Sequence, residues 1–221
     1  MLRFSVFGIP VGVDWFFWLI TILLSGRVAS GGQADWPAVG VWTGVVFVSI
    51  VLHELGHALA GRRYGAQPSI VLHGFGGTTY LPGISLSRGQ CILVSAAGPL
   101  AGFLAGLLIL GADVLIRDEP RLLRMAIHDG LYVNFVWTIV NLLPIQPLDG
   151  GQILREILGS RRIQLTVWIG FVLAGVLCLW TFSVEMYFSS FMLAYLAYLN
   201  VSRAPVDGGV VKQARSNLLG N

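Results

Sequence analysis

Charge is what this sequence has least of. Only 11% of its 221 residues are charged, against 55% hydrophobic, whereas an ordinary soluble domain carries roughly 25% charged residues. The deficit is too deep for a rich core alone and points to a bilayer as the solvent of much of the chain. Basic runs are missing as well. The net charge is +3, and no cationic cluster of the kind that grips a phosphate backbone occurs, so no nucleic-acid partner is expected. Cysteine is nearly absent. Cys91 and Cys178 both lie in apolar stretches and read as packing residues, not as a disulfide or a metal site. There is no internal repeat.

What is present is a series of long apolar runs, several of which reach the ~20 residues a helix needs to cross ~30 Å of hydrocarbon. The spacing predicts spans at about Trp15–Val28, Pro37–Arg62, Arg88–Arg117, Leu122–Leu143, Ile163–Phe182 and Tyr187–Asn200. Gly8, Pro10, Gly12 and Asp14 spoil the hydrophobic region of a signal peptide, so the first span is expected to be retained. Two segments depart from the helical pattern. Residues 2–13 alternate in short apolar pieces broken at Gly8, which predicts a strand pair or kinked strand at the membrane surface. Residues 65–87 are rich in glycine and proline with short β-branched pieces, which predicts a hairpin dipping into the protein where backbone is shielded. The expected fold is therefore an α-helical membrane protein. It has about six transmembrane helices and a small membrane-associated β-sheet or re-entrant hairpin on the cytoplasmic side. Residues 1–202 form a single embedded domain and 203–221 a polar, flexible tail.

The cations orient it. With six spans and the N-terminus inside, Arg3, Arg62, Arg63, Arg88, Arg155, Arg161, Arg162, Arg203, Lys212 and Arg215 fall on one side. Arg27, Arg117, Arg121 and Arg124 fall on the other. Both termini are thus expected in the cytoplasm, in a multi-pass protein of a bacterial-type inner or plasma membrane.

Within the second run stands HELGH. His53 and His57 are four apart, so on a helix they project from one face, as two ligands of one ion must. Glu54 flanks that face and can take the proton of a water on the metal without binding the ion itself. Ionisable groups inside a membrane are expensive and functional by default. At ~1.5 Å per residue, His53 lies roughly 14 Å and His57 roughly 8 Å below Arg62. A catalytic zinc usually takes a third protein ligand. The candidates are His73, His128, Asp129, Asp149 and Asp113, of which Asp149 and His73 fall at a suitable depth. Asp149 follows Pro144 and Pro147 and precedes Gly150-Gly151, so it reads either as that ligand or as the N-cap of a helix starting near Gly150. Asn134, Thr138 and Asn141 share one face, which looks either toward the site or toward a neighbouring helix. His73 reads as a structural histidine in the hairpin, or else as a group that supports the metal ligands or meets the substrate, and His128 with Asp129 as an interfacial pair or the lining of a polar cavity.

HELGH in an apolar helix, followed by NLLPIQPLDG on a later one, resembles the site-2 protease family of intramembrane metalloproteases. Asn141, Pro144, Asp149 and Gly150 match the second family motif in register. GPLAG (Gly98 to Gly102), GFGG (Gly74 to Gly77) and the FGIPVGVDWFFWL opening extend the resemblance over most of residues 1–151. The resemblance implies one zinc per chain, held by His53, His57 and Asp149. It also implies Glu54 as the group that activates water, and Asn141 as a contact to substrate or to the forming oxyanion. The implied substrate is a transmembrane segment of another protein, cut in regulated intramembrane proteolysis. Many relatives carry PDZ or CBS modules. The stretch from Gly61 to Arg88 is too short for the first and the residues after Asn200 too few for the second, so a compact form is expected. Cutting a helix requires unwinding it, and the edge at 67–80 or 2–13, with Gly74, Gly76 and Gly77, is the expected place for an extended substrate to pair. Two rival readings are an inactive relative that only binds membrane proteins, against which the intact Glu54 argues, and a metal transporter. A transporter would show repeated halves and gives no reason for Glu54. Oligomeric state is not readable from the sequence.

Overall fold

The computed structural model describes residues 1–28, 34–116 and 120–202. The tail at 203–221 lies outside the described residues, as do Arg117, Arg203, Lys212 and Arg215 of the charge asymmetry. The chain divides into two compact bodies, Met1–Leu142 and the residues from Leu143 on.

The first body opens with strands β1 (Leu2–Val6) and β2 (Ile9–Val13). They form an antiparallel hairpin around Phe7 and Gly8, both at positive φ, the backbone that two-residue hairpin turns require. Helix α1 (Trp15–Leu24) and helix α2 (Trp36–Arg63) follow, then strands β3 (Ser69–His73) and β4 (Gly76–Tyr80). The four strands make one sheet in the order β1-β2-β3-β4, with β2 and β3 parallel in the register Val11↔Ile70 and Val13↔Leu72. A parallel pair needs a long crossover, which α1 and α2 supply. Alternate residues Ile9, Val11 and Val13 of β2 and Ile70 and Leu72 of β3 are fully buried, in one cluster with Phe17 of α1 and Val46, Ile50 and Leu55 of α2. This is the period-2 burial expected of a strand with one face on a core. Helix α3 (Arg88–Leu115) starts at a capping box formed by Ser87 and Gln90, and α4 (Arg121–Asn141) completes the body.

The first predicted span was too long. Helix α1 has 10 residues and ends at Leu24, not Val28, giving about 15 Å of helix. The start at Trp15 is as expected. The helix ends at Ser25, whose N–H bonds the Ile22 carbonyl, and at Gly26, whose positive φ turns the chain out of it. At the N-terminal end of α1 the Asp14 N–H bonds the Leu72 carbonyl at 2.9 Å, and Gly74 lies against Phe16 and Ile20. At its far end the Thr21 carbonyl accepts the Trp42 indole N–H at 3.0 Å.

That far end is closed by charge. The Arg27 guanidinium makes a bidentate pair with Asp129 of α4, 2.8 Å to each oxygen, and also bonds the Ala38 carbonyl of α2. The Asp129 partnership raises the Arg27 pKa. Half-buried Asp35, the N-cap of α2, pairs with Arg121, which lowers its carboxyl pKa. At the opposite end of α2, Arg62 donates to the Phe7 carbonyl of the β1–β2 turn at 2.7 Å.

The second body holds α5 (Asp149–Leu158), a 3-10 turn (Ser160–Arg162), α6 (Ile163–Ser183) and α7 (Tyr187–Ser202). Asn200 of α7 is its polar keystone. It is 1% exposed, donates to the Val167 carbonyl of α6 at 2.5 Å and accepts from the Gln146 N–H at 3.1 Å. Gly170 of α6 leaves the room that the Asn200 amide fills. Cys178 bonds the Ser190 carbonyl weakly at 3.3 Å, and both cysteines are unbridged.

Six spans were expected. Among the described residues, three helices are long and apolar enough to cross a membrane: α2, α3 and α6. Helix α1 falls short for the reason given above. Helix α7 has 16 residues, and α4, although 21 residues long, carries Arg121, Arg124, His128, Asp129, Asn134, Thr138 and Asn141.

Candidate metal centre

HELGH lies in the C-terminal half of α2, and its helical spacing does what it must. The Nε2 atoms of His53 and His57 lie 3.1 Å apart, with the ring planes at 79°. A tetrahedral zinc with Zn–N bonds of ~2.0–2.1 Å would separate two ligand nitrogens by about 3.3 Å. The pair therefore already has the spacing of one edge of a zinc tetrahedron. His57 Nδ1 lies 2.7 Å from the Val94 carbonyl of α3. A carbonyl only accepts, so Nδ1 carries the proton and Nε2 presents its lone pair toward His53, as a metal ligand requires. The donor set and its spacing fit zinc.

Helix α3 comes close enough to provide that carbonyl because of glycine. Gly56 of α2 rests on the Ala97 backbone, and Gly98, one turn beyond Val94, lies flush on the His57 ring. A methyl at Gly98 would occupy the space of the ring's Nε2 and Cε1. Gly98→Ala is therefore expected to lower zinc affinity at least about tenfold, the lower range for disturbing a ligand's support. Chelator competition measures this; unchanged affinity would mean the ring has room to move.

Glu54 is buried, 6% exposed. The Thr79 hydroxyl of β4 donates to it, with Oγ1 2.7 Å from Oε2 and 3.1 Å from the Glu54 backbone carbonyl. Gly77 covers its Cγ and Oε1. Two converging imidazole nitrogens thus stand on the same helix as a buried carboxylate, the elements of a metal ion that polarises a substrate beside a group that moves protons.

The other predicted residues divide. Asp149 is the first residue of α5, 7% exposed. The N-cap position belongs to Leu148, with no capping side chain, so the N-cap reading of Asp149 is corrected. Gly151 abuts the Ile145–Gln146 backbone with no space for a side chain, which makes the sharp turn before α5 possible. Asn141 ends α4, half-buried. On the same face, buried Asn134 donates to Ser49 of α2 at 2.9 Å and to the Gly130 carbonyl, so it joins helices. Thr138 packs against Gly102 of α3. His73 is internal to the hairpin, bonded through Nε2 to Thr78 and accepting through Nδ1 from the Phe75 N–H. His128 is exposed, and Asp129 serves Arg27. Gly74 and Gly77 have packing reasons of their own, against α1 and against Glu54. Sequence reasoning missed Thr79, the Val94 carbonyl and the contact of Gly98 with His57. Only the i, i+4 spacing of Val94 and Gly98 could have hinted at a shared contact.

Comparison with known proteins agrees with this geometry. The profile described as peptidase family M50 matches residues 123–182. A zinc metalloprotease of Methanocaldococcus jannaschii is 31% identical over 163 residues, covering 72% of this chain and 45% of that protein. A Mycolicibacterium smegmatis protein named Rip2 is 26% identical over 235 residues, covering 86% and 90%. The chain spans under half the length of the curated relatives matched at highest significance. A solved site-2 protease from Methanocaldococcus jannaschii superposes with a TM-score of 0.65 at 26% identity, over 94% of this chain and 97% of that one. The fold, the histidine pair and these matches converge: the chain is similar to peptidase family M50, to zinc metalloproteases and to a solved site-2 protease.

Proposed function

We propose that the protein is an intramembrane zinc metalloprotease that hydrolyses peptide bonds within or near transmembrane segments of other membrane proteins, in regulated intramembrane proteolysis. The observation that carries this reading is the His53–His57 Nε2 pair at 3.1 Å with its tautomer set by Val94, beside buried Glu54. His53, His57 and Asp149 are the three ligands of one zinc. Asp149 is supported by its family motif and by its release from a capping role. Zinc, when bound, supplies the Lewis acidity that makes water a nucleophile near neutral pH. Glu54 accepts the proton from that water and passes it to the leaving amine. Asn141 donates its amide to the substrate or to the forming oxyanion, where a preorganised donor in a dry site stabilises charge best.

The chain crosses the membrane six times, with both termini and the sheet on the cytoplasmic side. In support, Arg27 and Arg121 pair with carboxylates at one end of the first body, while Arg62 bonds the β1–β2 turn at the other. The short α1 is long enough in this arrangement because the sheet enters to the depth of Glu54. The substrate, unwound, adds as a strand to the free edge of β4, where Gly76 and Gly77 keep the approach open. Strand β4 is favoured over β1, the other outer strand, because Gly77 and Thr79 reach Glu54.

The test is cleavage of a model transmembrane substrate by the purified protein in detergent. Cleavage is expected with zinc, to stop on chelation and to return on zinc addition. Cleavage that persists without metal, or a zinc-loaded protein that cuts nothing, overturns the reading.

A further inference from the structure

Glu54 does not hold its own position. A glutamate has three rotatable side-chain bonds, and fixing them costs up to about 2 kcal/mol of rotamer entropy. What fixes this one comes from the sheet, not from α2. Side chains alternate along β4, so Gly77 and Thr79 share the face toward α2 while Thr78 turns away to His73. Through that face Thr79 meets Glu54 twice, at Oε2 (2.7 Å) and at its backbone carbonyl (3.1 Å). Both atoms are acceptors, so the single hydroxyl proton ties the carboxylate to its own helix backbone. The second oxygen, Oε1, faces Gly77, where the missing side chain leaves it space. The carboxylate is held by Thr79 on one oxygen and lies against Gly77 with the other.

We propose that Thr79 is the positioning residue for Glu54. Its hydroxyl aims the carboxylate, and because β4 is an outer strand of the sheet, it links the aim of the base to the seating of an extended substrate on that strand. This rests on the reading of Glu54 as the proton acceptor. The Thr79 hydroxyl is engaged by Glu54, so the side chain acts on turnover through Glu54 and leaves metal binding alone.

The experiment compares Thr79→Val, nearly the same shape without the hydroxyl, with Thr79→Ser, which keeps the hydroxyl, and with Glu54→Gln. Zinc-loaded variants are assayed on the model transmembrane substrate for kcat and KM, and each is measured for zinc affinity and thermal midpoint. Thr79→Val is expected to lower kcat about 10–100-fold, the range for losing the partner that orients a site group, with KM and zinc affinity within about twofold. Thr79→Ser is expected to keep kcat within about threefold of the wild type. A Thr79→Val variant with wild-type kcat overturns the proposal. So does a loss of zinc or of folding in Thr79→Val that Thr79→Ser shares, because that pattern belongs to a packing residue. Full activity in Glu54→Gln is a different failure: it removes the base reading itself, whatever the Thr79 variants do.

Discussion

Glu54→Gln is expected to lower kcat by about 10²–10⁴-fold, the usual contribution of a positioned proton acceptor, while the protein still binds one zinc. The substitution is nearly isosteric. The amide oxygen can still accept from Thr79, and the side chain still fills the space beside Gly77. Only the basicity goes. Glu54 is 6% exposed, and replacing a buried carboxylate by a neutral amide removes a desolvation cost, so the fold is not weakened by the charge change. His53 and His57 keep their spacing and the Val94 bond, so metal content should match the wild type. Turnover of a model transmembrane substrate and zinc stoichiometry, measured on one preparation, decide it. Full activity would end the proposed mechanism; loss of zinc would show that Glu54 serves the metal site, not proton transfer.

Asp149→Ala should strike the complementary property. Two imidazoles alone leave a zinc short of the three protein ligands of a catalytic site. Zinc affinity is therefore expected to fall by more than the ~100-fold that marks the upper range for an outer-shell partner. The second body should survive the change. Asp149 does not cap α5, and an acidic residue in a first helical turn is worth at most about 2 kcal/mol against the helix dipole, even when partly buried. Asn200 still holds the turn through the Gln146 N–H. Chelator competition and helical content by circular dichroism separate the two effects. Unchanged zinc affinity in a folded variant would place the third ligand elsewhere.

The parts of this protein legible in its sequence are those with local causes. HELGH announces itself because two histidines four apart share a helix face wherever the helix lies. The strands at 2–13 and 65–87 are visible because glycine and β-branched residues interrupt apolar runs. The expected starts of α3 at Arg88 and of α6 at Ile163 match the structure, and α2 differs from its expected bounds by one residue at each end. What was hidden depends on distant partners. Thr79 is an ordinary strand threonine until the fold puts it on Glu54, 25 positions earlier. Asp129 looked like an interfacial residue because nothing local reveals Arg27, 102 positions away. The length of α1 was overestimated at its far end only: it starts at Trp15 as expected, but stops at Leu24, before Gly26 at positive φ, and not at Val28. Asn200 was only the end of an apolar run, since its partners Val167 and Gln146 lie 33 and 54 residues back.

The parallel pairing of β2 with β3 also dictates an order of events as the chain is made. β1 and β2 emerge first and can close on each other at once. Their partner β3 arrives only after the whole of α1 and α2 has been synthesised and threaded. Contacts so distant along the chain form late, and β4 is the last strand to join. Thr79 and Gly77 ride on β4, so the nascent chain carries its histidines and its glutamate for some time before anything aims the glutamate. Until the sheet is complete, the nascent chain therefore has no Thr79 hydroxyl to fix the Glu54 carboxylate.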